Sequence, residues 1–136
     1  MRLLIDGNIL LDVLQKREPH YEDSAKVWKM CESGLTEGYV SALTFANLVY
    51  IMRKELPPEK IEEVLKTLGL IFNFEDLRGS DLFDAASMKW SDFEDAIQAV
   101  TSERLHADYI ISRNVKDFSG SRVVAISPAE FLKRIQ

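Results

Sequence analysis

Residues 2–14 read RLLIDGNILLDVL, and the change of period inside this stretch decides the fold. Leu3, Leu4 and Ile5 are consecutive apolar residues, the signature of a short strand buried on both faces of a parallel sheet. Gly7 allows a tight turn directly after Asp6. Asn8 can then cap a helix over about residues 8–17, with Ile9, Leu10, Val13 and Leu14 as its apolar stripe. A strand, a turn and a helix in immediate succession form the first unit of an alternating α/β chain. An acid stands at the turn.

The remainder of the chain repeats that unit. Helical patterns are expected at 21–32, from Thr44 along a Phe45/Leu48/Val49/Met52 stripe, and at 58–68 with Gly69 closing the helix. Further helices are expected from Ser80 to about Lys89, from Ser91 or Asp92 to about His106, and over 128–135 with Pro128 in the first turn. Strands are expected at 38–41, 70–74, 108–112 and 123–126. Together they predict a three-layer α/β sandwich with a mainly parallel, about five-stranded sheet flanked by helices, in one domain over residues 1–136. Ligands of such sheets bind outside the carboxyl ends of the strands, where strand order reverses.

Composition excludes several classes. Hydrophobic residues at 46% and charged residues at 29% give a globular balance rather than a disordered one. No apolar run approaches the ~20 residues of a membrane span, and a strand beginning at Arg2 leaves no room for a signal peptide, so no membrane partner and a cytoplasmic location are expected. Cys31 is the only cysteine, which rules out an internal disulfide, and His20 and His106 are too few and too distant for a structural zinc site. A net charge of −5 counts against a non-specific nucleic-acid coat protein, yet it is compatible with an enzyme that meets nucleic acid through a local basic rim.

The chemistry lies in four aspartates. Asp6 closes the first strand, Asp92 and Asp95 open a late helix, and Asp117 follows the strand at 108–112. Clustered carboxylates suit hard cations such as Mg²⁺ or Mn²⁺. Two bare carboxylates about 4 Å apart repel by roughly 4 kcal/mol at an effective dielectric of about 20, so a cluster calls for a cation or for protonation. On the late helix, Asp92 and Asp95 are neighbours in the first turn, off a stripe of Phe93, Ile97 and Val100. Helix capping explains one of these acids but less easily both.

The segments RLLIDGNILLDVL, DFEDAIQA and YIISRNVKDF resemble, in this order and spacing, the PIN-domain nucleases, and the resemblance runs over essentially the whole chain. It implies a metal-dependent endoribonuclease using Mg²⁺ or Mn²⁺ on an RNA substrate. Small stand-alone members of the VapC type are often toxins held inactive by an antitoxin, which makes an antitoxin protein the expected partner; a homodimer is left open. By motif, Asp6, Asp95 and Asp117 correspond to the metal-binding acids and should converge on one metal shell. Ser112 and Asn114 correspond to polar positions beside the phosphate.

One position departs from the family pattern. A glutamate usual on the helix after the second strand corresponds here to Asn47, an amide that offers a carbonyl but no charge. Asp92 is then the candidate fourth acid. The resemblance implies hydrolysis by water without a covalent intermediate, leaving a 5′-phosphate and a 3′-hydroxyl. Arg113 and Lys116, flanking Asn114, are candidate phosphate contacts. The alternative is a PIN fold with weakened catalysis that serves as an RNA- or protein-binding module. A receiver-like domain ranks lower, because Ser127-Pro128 follows the last strand where that class needs a lysine. Asp12 reads as a solvated helix residue more readily than as a support for the site.

Overall fold

The computed structural model describes residues 1–136. Five strands, β1 (Arg2–Ile5), β2 (Glu37–Ser41), β3 (Asn73–Glu75), β4 (Tyr109–Ile111) and β5 (Ala125–Ile126), form one sheet in the order β3-β2-β1-β4-β5. Every neighbouring pair is parallel. Seven helices cover the sheet: α1 (Gly7–Leu14), α2 (Tyr21–Glu32), α3 (Ala42–Met52), α4 (Pro58–Ile71), α5 (Gly79–Met88), α6 (Phe93–Arg104) and α7 (Pro128–Arg134). None of them is long and apolar enough to cross a membrane.

The consecutive apolar residues of the strands divide between two cores, as a sheet covered on both faces requires. Leu3, Ile5, Val40, Ile111 and Ile126 join α1–α4 and α7 in the larger core. Leu4, Ile110 and Ala125 face the other way, against Ala99, Leu105 and Phe118. Gly38 lets β2 lie flush on the larger core, because a Cβ there would stand 2.7 Å from both the Cys31 Sγ and the Phe72 ring.

Three expectations change on contact with the structure. The third strand is Asn73–Glu75 rather than 70–74, because α4 continues through Gly69 to Ile71 and buries Leu68, with Phe72 packed just beyond its end. The cap position of α1 is Asp6, two residues earlier than Asn8. The expected stripe on α6 is also displaced. Phe93 is largely exposed, while Ala96, Ile97, Gln98, Ala99, Thr101 and Ser102 are buried. This helix lies between the sheet and α5, and its small residues let both neighbours approach.

Strand order dictates where the crevice opens. From β1 the chain winds to β2 and β3 on one side, then crosses back to β4 and β5 on the other. The reversal falls between β1 and β4, so the loops leaving them diverge at their carboxyl ends. Asp6 and Ser112 are the first residues beyond those two strands.

Candidate active site

Asp6, Asn47, Asp92, Asp95, Asn114 and Asp117 line one cavity of 340 Å³ at that reversal point. The residues come from β1, α3, α6 and the 3₁₀ turn Val115–Phe118 after β4, so four separate segments meet there. The carboxylates face one cavity rather than a closed shell. No three of them are gathered tightly enough to enclose a single ion.

Asp6 is the most firmly held of the group. The Ser112 hydroxyl donates to its Oδ2 at 2.8 Å, and the Gln98 amide donates to its Oδ1 at 3.4 Å. Ser112 is itself buried, and its oxygen accepts from the Asn114 backbone N–H at 3.0 Å, which ties the loop after β4 to the end of β1. Burial lifts the Asp6 pKa above the usual carboxylate range; Ser112, the Gly7 N–H and Arg113 oppose the shift, and Asp92 adds to it.

Asp95 carries the largest perturbation. Its pKa is raised to about 7, first by burial, then by the charges of Asp92, Asp6 and Asp117. Asp92 has two roles at once. Its Oδ1 caps α6 by accepting from the Asp95 N–H at 3.0 Å, and its charge is part of the cavity wall. The choice between a cap and a site residue therefore dissolves for this side chain.

Arg113 and Lys116 separate. The Arg113 Nη2 donates to Oδ1 of Asp12 at 3.0 Å, and its Nε stands 3.0 Å from Oδ2. Ser24 completes the pair by donating to Oδ2, also at 3.0 Å. Asp12 is fully buried, which corrects the expectation of a solvated helix residue, and Arg113 is drawn to α1 rather than into the cavity. Lys116 lies in an adjoining depression whose walls include Asp92, Asp95 and Asp117.

Two wall residues on α6 were not among the candidates read from the sequence. Glu94, beside Asp95, is a fifth acid, and its pKa is raised by partial burial and by Asp92 and Asp6. A helix start commonly holds acids, so its position alone gave no signal. Gln98 is almost wholly buried, yet its Oε1 has no donor. A glutamine one turn after an aspartate inside an otherwise small and apolar helical run was the available clue. The donor set is oxygen only: five carboxylates with the amide carbonyls of Asn47 and Gln98. That chemistry fits a hard divalent cation, and an acceptor buried without a donor beside Asp6 fits a hydrated one.

The sequence profile described as PIN domain matches residues 2–116. No curated protein sequence matches the chain significantly. Solved structures with the same fold include a toxin–antitoxin complex from Klebsiella pneumoniae, at 19% identity and TM-score 0.72 over 93% of this chain and 97% of that one. VapBC-1 from nontypeable Haemophilus influenzae shares 16% identity at TM-score 0.72, over 95% and 99% of the two chains. VapC20 of Mycobacterium tuberculosis, a toxin described as cleaving the sarcin–ricin loop, shares 10% at TM-score 0.70, over 93% and 99%.

Proposed function

The chain belongs to the PIN-domain family, and on that premise we propose that it is a divalent-metal-dependent endoribonuclease acting as the toxin of a toxin–antitoxin pair, with residues 1–136 working as one domain. The observation that carries the reading is the convergence of four aspartates on one cavity, with Asp95 raised to about 7 by burial and by its acidic neighbours. Structural ion-pair networks also perturb pKa values, but here the neighbours are acids and no cation pairs with Asp95.

In this reading Asp6, Asp95 and Asp117 hold Mg²⁺ or Mn²⁺, Asp92 and Glu94 add negative charge, and Asn47 offers a carbonyl. A bound divalent cation supplies Lewis acidity for in-line displacement at phosphorus. Ser112 and Gln98 fix the Asp6 carboxylate so that it need not reorient during reaction. Serine, cysteine and histidine are missing from the cavity wall and its one threonine, Thr44, is buried, which supports water as the nucleophile and no covalent intermediate. The products are a 5′-phosphate and a 3′-hydroxyl. The toxin assignment is supported by toxin–antitoxin complexes among proteins of this fold, and its protein partner would be a cognate antitoxin.

The test is RNA cleavage by purified protein in Mg²⁺ or Mn²⁺ against chelator, with Asp95→Asn as the paired variant. Cleavage confined to metal and lost in a folded Asp95→Asn protein supports the reading. RNA binding without cleavage under any divalent ion selects the alternative, a binding module weakened by the neutral Asn47.

A further inference from the structure

An acid-lined cavity repels the phosphates of its own substrate, so something beside it must hold the strand. Arg113 is committed to Asp12. The opposite wall, from α3, offers a different group. Tyr50 and Ile51 line the cavity from the last turn of that helix, and Tyr50 is 55% exposed. Arg53 and Lys54 follow at i+3 and i+4, which brings both cations over the same ring: the Arg53 guanidinium carbon lies 4.7 Å from its centroid and the Lys54 Nζ 5.4 Å. Neither cation is among the chain's salt-bridged residues, although acids outnumber bases overall.

We propose that Tyr50, Arg53 and Lys54 form a nucleotide-docking platform at the rim of the acid cavity, where an unpaired base of single-stranded RNA stacks on the tyrosine ring and the two cations meet its flanking phosphates. The proposal rests on the nuclease reading and names the substrate form: a base locked in a duplex cannot present its face to a side chain. Stacking tolerates any base, because every base has a π-face, so the platform supplies affinity and register rather than a sequence code. The charge complements phosphate and the ring complements a base. A protein partner covering this face would have to bury Lys54, a residue type that interface cores deplete.

The experiment measures a short fluorescent single-stranded oligoribonucleotide binding by anisotropy, in Mg²⁺ with the Asp95→Asn background to halt turnover, and KM for cleavage in the wild-type background. Tyr50→Leu should weaken binding about tenfold, and Tyr50→Trp should restore it to within about threefold. Arg53→Gln/Lys54→Gln should lower the slope of log affinity against log salt by about 1.4, roughly 0.7 for each single-strand phosphate contact. All three positions are exposed, so melting midpoints should stay at the wild-type value. Unchanged affinity and KM in Tyr50→Leu, alongside metal-dependent cleavage, overturns the platform and leaves the nuclease reading standing. A wild-type protein that neither binds nor cleaves RNA overturns both. A change of oligomeric state in Tyr50→Leu with RNA affinity intact assigns the face to a second copy and also overturns the platform.

Discussion

Replacing Asp95 with asparagine should stabilise the metal-free protein at neutral pH while abolishing its chemistry. The carboxyl is raised from 3.8 to about 7. A rise of that size corresponds to roughly 4 kcal/mol as an upper bound. Asp95 is only half-buried, so solvent screening reduces that to about 1–2 kcal/mol. Loss of a first-turn acid from α6 returns about 0.5 kcal/mol of it. The sign follows from the direction of the shift. Because the folded-state pKa lies above the unfolded one, the stabilising contribution is fully present below pH 3.8 and is lost as pH rises through about 7. Urea denaturation in chelator across this window should therefore show wild type falling relative to Asp95→Asn toward high pH. Saturating Mn²⁺ should invert the order, since a ligand at a hundredfold its Kd adds about 2.7 kcal/mol to the protein that binds it. Parallel stability–pH curves for the two proteins in chelator would refute the idea that burial and the neighbouring acids together hold this proton.

Gln98→Leu should leave the melting midpoint unchanged or higher, because it removes an acceptor buried without a donor, yet slow RNA cleavage by about ten- to a hundredfold through a loosened Asp6. Asn47→Glu should tighten Mn²⁺ binding measured by calorimetry; if Asn47→Ala changes neither affinity nor cleavage, Asn47 is a bystander and the acids alone are the site. Arg113→Ala should cost about 3 kcal/mol in urea unfolding by stranding buried Asp12, whereas Lys116→Ala should change stability by less than about 0.5 kcal/mol. Equal costs for those two variants would contradict their different settings.

Local periodicity carried much of the fold to the surface of the sequence. The strand–turn–helix at residues 2–14 and the apolar stripe of α3 both follow it, because each is decided within a few turns of chain. Errors arose where a neighbour from elsewhere set burial. The run around Gly69 reads as a helix stop followed by a strand, but Leu68 and Phe72 reach the larger core and carry α4 onward, while Leu70 is left exposed. The face of α6 could not be assigned by angle, since α5 and the sheet together bury most of its circumference. That Asp6, Asp95 and Asp117 line one cavity was readable from strand ends and motif, but they stand too far apart for the single metal shell expected of them. The partnership of Asp12 with Arg113, separated by 101 residues, had no local trace. Gln98 was hidden for a similar reason: its meaning lies in Asp6, which is 92 residues away.

Both outer strands of the sheet are short, three residues in β3 and two in β5. A free edge of that length exposes too few backbone amides and carbonyls to template an added strand, a device by which proteins avoid edge-to-edge aggregation. The same brevity constrains binding. A protein partner gains almost nothing by extending this sheet, so it must grip helix faces and loops through side chains. Recognition of that kind is written in surface residues, and these can change while the strands beneath stay as they are.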